Sequence, residues 1–291
     1  MIPAQFEYVA PRTLEDALRL VERHGDEAKI LAGGHSLLPL MKLRLAQPRY
    51  VIDIGRLRNM NYIREENGQI AIGALTTHAE IESSALLRAK CPLLCETAAS
   101  IGDVQVRNRG TLGGSLAHAD PAADYPAAVL ALNAEIIAAS TGGTRTIPVS
   151  EYFLDMLTTA LRPGEILSQV RVAPQPPHTG AAYEKLHQPA SGFAIVGVAA
   201  RLTLGTGGTI EDVAIGVTGL GPKAFRAETA ENTLRGKKAS EKLFAEAAQH
   251  AAQGIEPLSD LHASADYRRN MAIVYARRAL NRAFARAQGK P

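Results

Sequence analysis

Cysteine is scarce in this chain: Cys91 and Cys95 are the 2 among 291 residues. A cysteine-ligated iron–sulfur cluster, or a zinc site made of cysteines alone, needs four thiolates, so this chain by itself holds neither. Long apolar runs are also missing. Stretches such as Ala127–Leu132 fall far short of the ~20 residues that span a bilayer. Nor does charge of one sign prevail. Lys plus Arg number 32 and Asp plus Glu 29, a net charge of +3, which gives no reason to expect nucleic acid or an anionic membrane as the main partner. Residues Met1 to Arg12 carry no basic patch followed by an apolar stretch. The expectation is therefore no secretory signal, no transmembrane segment and a cytoplasmic location.

What is present is an ordinary globular mixture, 46% hydrophobic and 21% charged, which excludes a disordered chain. The length predicts about two domains. Thr13 is placed to cap a helix whose Leu14, Ala17, Leu18 and Val21 share a face. Residues 29–32 and 49–54 read as short strands. Between them lie Gly33-Gly34-His35-Ser36 and a helix from Leu37 to Arg44, with Pro39 tolerated in its first turn. Residues 69–75 alternate as a strand, and 77–100 are mostly helical. A long glycine-rich polar stretch, 102–124, then precedes an apolar helix at 125–132. Residues 134–139 and 165–172 read as strands. Pro174, Pro176 and Pro177 make 173–178 the best linker, since they break both helix and sheet. Beyond it, strands at 180–187, 194–204 and 209–218 and helices at 226–235, 240–252 and 266–288 predict a separate α+β unit. Gly205–Gly208 is the hairpin turn within it. The last helix carries Arg268, Arg269, Arg277, Arg278, Arg282 and Arg286. They are expected as a solvated face opposite Met271, Val274, Leu280 and Phe284, rather than as a membrane or nucleic-acid surface.

Cys91 and Cys95 read as small core residues. His78-Ala79-Glu80 matches half of a zinc deaminase signature, but Cys91-Pro92-Leu93-Leu94-Cys95 lacks the Pro-Cys-x-x-Cys order of the other half. Two glycine loops are more informative: Ala32-Gly33-Gly34-His35-Ser36 and Gly110-Thr111-Leu112-Gly113-Gly114-Ser115. Backbone without Cβ approaches a ligand closely and takes positive φ. Successive N–H groups then form an anion nest, which suits a diphosphate. Neither loop is a Walker A motif or a Gly-x-Gly-x-x-Gly fingerprint, and a plain turn is the alternative for either one. His118, Asp120 and Asp124 have a spacing that Pro121 could fold around a metal. They equally suit hydrogen bonding to ligand hydroxyls, with Asp120 as a helix cap, and no metal site is expected.

Three runs carry a resemblance. They are the opening Met1-Ile2-Pro3 with Phe6 and Tyr8; Ala32-Gly33-Gly34-His35-Ser36-Leu37-Leu38-Pro39-Leu40-Met41-Lys42; and Arg107-Asn108-Arg109-Gly110 through Asp120-Pro121-Ala122-Ala123-Asp124. Together they resemble the FAD-binding medium subunit of the molybdenum hydroxylases, most of all its aerobic carbon monoxide dehydrogenase branch, over nearly the whole chain. The resemblance implies an α+β fold. Residues 1–175 would form an FAD-binding domain of the vanillyl-alcohol-oxidase (PCMH) type, built of two α/β subdomains at about 1–55 and 56–175. Residues 176–291 would form a C-terminal α+β domain with a three-stranded antiparallel sheet and helices. The resemblance also implies partners: a small subunit with two [2Fe–2S] clusters and a large subunit with molybdopterin, assembled as a dimer of heterotrimers. FAD on this chain would pass cluster electrons to quinone, oxygen or nicotinamide, in the cytoplasm or at the inner membrane through the complex.

The same resemblance assigns cofactor contacts. Lys29, Ile30, Leu31, Ala32, Gly33, Gly34, His35, Ser36 and Leu37, with Gly110, Thr111, Gly113, Gly114, Ser115 and Ala117, fall around the FAD diphosphate. Ile101 packs on the cofactor and Asp124 contacts it. Leu167 and Lys185 are further flavin contacts, and Phe193 lies near the ring, where some relatives have Tyr. Without the resemblance, Ile101, Leu167 and Phe193 read as core and Lys185 as a surface lysine. No catalytic acid–base group is implied, since a flavin does its own redox chemistry. The alternatives are a medium subunit for N-heterocycles, purines or aldehydes, a stand-alone flavin oxidase with His35 or His118 available for covalent attachment, and a cofactor-free assembly module.

Overall fold

Thr13 opens the first helix, its hydroxyl accepting from the Asp16 N–H at 3.1 Å. The computed structural model describes residues 2–290; Met1, which begins the N-terminal motif, and Pro291 lie outside them. The first unit consists of β1 (Glu7–Val9), α1 (Leu14–His24), β2 (Ala28–Leu31), α2 (Leu37–Lys42) and β3 (Tyr50–Asp53). β3 lies between β1 and β2 and is parallel to both. β1 is an addition to the expected elements. Glu7 and Tyr8 are exposed, so this edge strand has no apolar alternation to announce it.

The second unit begins with β4 (Ile63–Glu66) and β5 (Gln69–Gly73). Six short helices follow: α3 (His78–Ser83), α4 (Ala85–Lys90), α5 (Pro92–Ala99), α6 (Val104–Arg107), α7 (Leu112–His118) and α8 (Tyr125–Ala131). Then come β6 (Glu135–Ser140), β7 (Gly143–Pro148), a small hairpin of β8 (Phe153–Asp155) and β9 (Thr158–Thr159), and β10 (Ile166–Val172). The main sheet runs β4-β5-β10-β6-β7 and is antiparallel throughout. The stretch 102–124, expected as loop, holds α6 and α7. Asp103 caps the first by accepting from Val106 N at 2.9 Å, and Thr111 caps the second by accepting from Gly114 N at 3.1 Å. Gly113 and Gly114 hide α7 in the sequence, because each glycine costs a helix interior about 1 kcal/mol.

The third unit has β11 (Thr179–His187), β12 (Ala194–Leu204), β13 (Ile210–Thr218), β14 (Phe225–Arg226), α9 (Glu228–Leu234), α10 (Glu241–Ala248) and α11 (Ala265–Ala287). Its sheet has four strands where three were expected; the fourth is two residues long and pairs with Gly216 and Val217. A Cβ on Gly180 would fall 1.9 Å from the Ala283 carbonyl oxygen. Glycine there, and buried Ala272, Ala276, Ala279 and Ala283, let α11 settle onto the sheet. The arginines of α11 are not one solvated face. Arg277 and Arg278 are exposed. Arg268 is buried and donates to the carbonyls of Ile195 and Gly219 and to Asp260. Arg282 and Arg286 both reach Glu96 on α5. One apolar core spans the first two units and continues into Ala181, Tyr183 and Ala199, and a second fills the third unit. Among the described residues no helix is long and apolar enough to cross a membrane.

Candidate functional site

The first glycine loop leaves the sheet where β2 ends. The Leu31 carbonyl accepts from Ile54 N at 2.9 Å, and the chain then turns through Gly34 at φ +82°. Gly33 is pressed against the second loop, since a Cβ there would stand 2.2 Å from the Arg109 carbonyl oxygen. The Gly34 and Ser36 carbonyls accept from Leu38 N and Leu40 N and so start α2. Among the described residues, no protein group accepts from the backbone N–H groups of Ala32 through Leu37. A run of successive N–H donors with no internal acceptor is a cradle for an anion.

The second loop has a different task. Gly110 O accepts from His78 N at 3.0 Å, Leu112 N donates to Thr76 O at 3.0 Å and Gly113 N donates to Ala74 O at 2.9 Å. The Gly114 N–H is taken by the Thr111 hydroxyl. None of Gly110, Gly113 and Gly114 has positive φ. Their lack of a Cβ serves packing: one would stand 2.5 Å from His78 Nε2 at Gly110 and 2.5 Å from Ala74 Cβ at Gly113. The Gly114 N–H caps α7, while the N–H of Thr111, which lines the cleft, has no protein acceptor among the described residues. Ser115 is half-buried and Ala117 exposed on the same helix.

Between the loops lies a cleft of about 390 Å³. Ala32, Gly33 and Thr111 line it, together with Arg58, Asn61, Asn108 and Arg109. These last four were not read as site residues from the sequence. Asn108 and Arg109 had a signal, since they directly precede the second loop; Arg58 and Asn61 had none. His78 sits beside the cleft wall, 5% exposed, with its ring 5.2 Å from that of Tyr125. Burial pulls its pKa down to about 4, with His35 and Arg107 adding to the effect, so it is neutral at physiological pH.

A second cluster forms around Asp124. Lys185 Nζ lies 2.8 and 2.9 Å from its two oxygens, and the Tyr183 hydroxyl donates to Oδ1 at 2.6 Å. Lys185 also donates to the Ser100 carbonyl at 2.8 Å. Its side chain is 6% exposed, so it is not the surface lysine that composition suggests. Burial pushes the Asp124 carboxyl above the ordinary carboxylate range, against the pull of Lys185 and Tyr183. Both carboxylate oxygens are thus engaged within the protein, and the pair holds the backbone next to Ile101 in place. The Ile101 carbonyl accepts from Arg107 Nη1 at 3.1 Å. Phe193 is 48% exposed, and its neighbour Gly192 approaches Gly102 closely.

Leu167 is buried within β10, Lys29 is exposed on β2 and His35 is exposed at the loop tip. Ile30 packs against the core, and Leu31 touches the position of Gly34. Tyr183, the partner of Asp124, was missed because nothing in its sequence neighbourhood marks it. Asp120 caps a turn, accepting from Ala122 N at 2.8 Å. Among the described residues no three His, Cys, Asp or Glu are grouped to hold a metal ion. Both cysteines are free and buried.

Comparison with known proteins covers both halves of the chain. The family described as FAD binding domain in molybdopterin dehydrogenase matches residues 4–176. That described as CO dehydrogenase flavoprotein C-terminal domain matches residues 181–283. The carbon monoxide dehydrogenase medium chain of Hydrogenophaga pseudoflava is 42% identical over 286 residues, covering 98% of this chain and 99% of that one. The 6-hydroxypseudooxynicotine dehydrogenase complex subunit alpha of Paenarthrobacter nicotinovorans is 42% identical over 289 residues, 99% of this chain and 97% of that one. A solved carbon monoxide dehydrogenase from Hydrogenophaga pseudoflava, lacking the Mo-pyranopterin moiety of the molybdenum cofactor, has a TM-score of 0.95 at 43% identity. It covers 98% of this chain and 99% of its own.

Proposed function

Because this chain belongs to the FAD-binding medium-subunit family of the molybdenum hydroxylases, we propose that it relays electrons from [2Fe–2S] clusters on a partner subunit to an external acceptor. It is an oxidoreductase flavoprotein whose cofactor is FAD. The observation that carries the reading is the run of unaccepted N–H donors from Ala32 to Leu37, which begins at Ala32 and Gly33 in the lining of a cleft between two glycine loops and fits a diphosphate.

Bound FAD supplies the redox chemistry. The chain's own residues bind and position it. Ala32 to Leu37 would hold the diphosphate, and Gly33 keeps the first loop against Arg109. The Asp124–Lys185 pair fixes the Ser100 carbonyl and hence Ile101, where the family resemblance puts the flavin. His78, neutral and buried, shapes the second loop without moving a proton.

The relatives are chains of larger dehydrogenases. We read this chain likewise, as one third of a heterotrimer with an iron–sulfur small subunit and a molybdopterin large subunit. Two such trimers would pair, in the cytoplasm or against the inner membrane, with quinone, oxygen or nicotinamide as acceptor. Carbon monoxide is the favoured substrate of the holoenzyme. An enzyme of the 6-hydroxypseudooxynicotine kind is the second reading, favoured by a relative of equal identity, 42% in both cases.

Purification from the native host tests this. The expected product is a yellow complex containing FAD, iron–sulfur clusters and molybdenum, which reduces a dye with carbon monoxide. Reduction by 6-hydroxypseudooxynicotine instead selects the second substrate reading. A chain that always elutes alone and without flavin refutes the relay.

A further inference from the structure

We propose that Arg58 and Arg109 are the charge partners of the FAD diphosphate, and that they set the affinity of the chain for the two-phosphate, adenine-bearing half of the cofactor. The inference rests on the FAD reading above and adds residues to it. Both arginines line the cleft with Ala32, Gly33 and Thr111. The diphosphate of FAD carries about two negative charges, and backbone N–H groups offer only partial positive ones. Side chains can add the formal positive charge that the backbone does not carry.

The nearby side chains narrow the choice. Lys29, the cation to which the sequence points, is exposed on β2 and does not line the cleft. Arg107 is committed to Glu82 at 2.8 Å. Among the described residues neither Arg58 nor Arg109 has an ion-pair partner within 4.0 Å. The carboxylates bonded to cleft residues are occupied elsewhere. Asp53 accepts from the Tyr8 hydroxyl at 2.5 Å and from Gly55 N at 2.8 Å. Glu80 accepts from Thr77 N at 2.8 Å, the Thr77 hydroxyl at 2.7 Å and Asn61 Nδ2 at 2.9 Å. Two unpaired guanidinium groups thus share a cleft with an N–H cradle. Their planar forks match phosphate oxygens better than a lysine would. They come from separate units, Arg58 just after β3 and Arg109 just before α7, so one ligand engaging both would bridge the cleft.

The test titrates the full-length chain with FAD and with ADP at low and high salt, for wild type, R58Q and R109Q and the double variant. Each single change is expected to weaken both ligands by about tenfold, the loss for one hydrogen bond to a charged group in a partly screened site. The double variant should lose most of the salt dependence. Unfolding midpoints should stay unchanged, because both side chains are exposed. Wild-type affinity for both ligands in R58Q and R109Q overturns the proposal. So does weakened binding with an unchanged salt dependence, or a fallen unfolding midpoint, which would make these arginines structural. A wild-type chain that binds ADP through the two arginines but does not bind FAD keeps the anion cleft and refutes the flavin reading. One that binds neither overturns both.

Discussion

The Tyr183 hydroxyl donates to Asp124 Oδ1 at 2.6 Å, in a space that exists because residue 197 is glycine: a Cβ there would stand 2.3 Å from that hydroxyl. Lys185 supplies the opposing charge from the same strand, two residues on. The three groups form a buried unit that no solvent can replace.

Removing one charge of the pair is therefore expected to cost about 3–5 kcal/mol, because the survivor is left buried and alone. Asp124→Leu and Lys185→Met should each show this loss in urea unfolding of the flavin-free chain. The double variant should recover much of it. Strictly additive losses would refute the pairing. Gly197→Ala should cost about 1–3 kcal/mol by forcing Tyr183 off its acceptor.

Gly33→Ala and Gly114→Ala should separate the two loops. The first puts a Cβ 2.2 Å from a backbone carbonyl of the other loop, and the second meets the Thr111 hydroxyl at 2.7 Å and Ala32 Cβ at 4.0 Å. Gly33→Ala is expected to yield folded, colourless protein. Gly114→Ala is expected to keep its flavin and lose about 1 kcal/mol with its cap. Absorbance of the purified proteins decides; a yellow Gly33→Ala would remove the first loop from the site.

His78 gives a pH dependence with a definite sign. Its pKa lies at about 4 in the folded chain, against 6.5 for a free histidine. The unfolded state thus takes up the proton first as pH falls, and stability is lost between about 6.5 and 4. At pH 5 this loss is about 2 kcal/mol relative to pH 7. The carboxylates add their own acid loss, so the comparison is with His78→Leu, whose stability should fall less over the same range. Parallel curves for the two proteins would sink the assignment.

Glu96 ties α5 to the third unit through Arg282, Arg286 and the Tyr183 N–H. Glu96→Ala is expected to cost about 1.5–3 kcal/mol, because it strips acceptors from half-buried donors. Glu96→Gln should cost less. Equal losses in thermal unfolding would show that charge contributes nothing there.

The legible parts of the sequence were those with a local signal. Thr13, the alternation of β5, the hairpin of β12 and β13 and the long final helix all declare themselves within a few residues. The first glycine loop did too, since Gly33 and Gly34 meet a packing demand and a positive φ. The second loop was legible only in part: the contacts of Gly110 with His78 and of Gly113 with Ala74 are distant in sequence, and only the fold shows them. Asp124 was legible as important but not in its role, because its partners come from β11. Arg58 was invisible. A lone arginine after a strand acquires meaning only when the fold brings Arg109 to the other side of the cleft.

The arrangement of α11 bears on how the molecule is made. Residues 265–287 emerge from the ribosome after every strand and helix they cover, including β11, β12 and the Glu96 region of α5. Until then Ala182, Val198 and Ala200 lack their helix cover, and Glu96 lacks both guanidinium partners. A nascent chain paused before Ala265 therefore presents an apolar sheet face to chaperones. Its first units, cleft included, wait on the last helix for the clasp that joins them to the third.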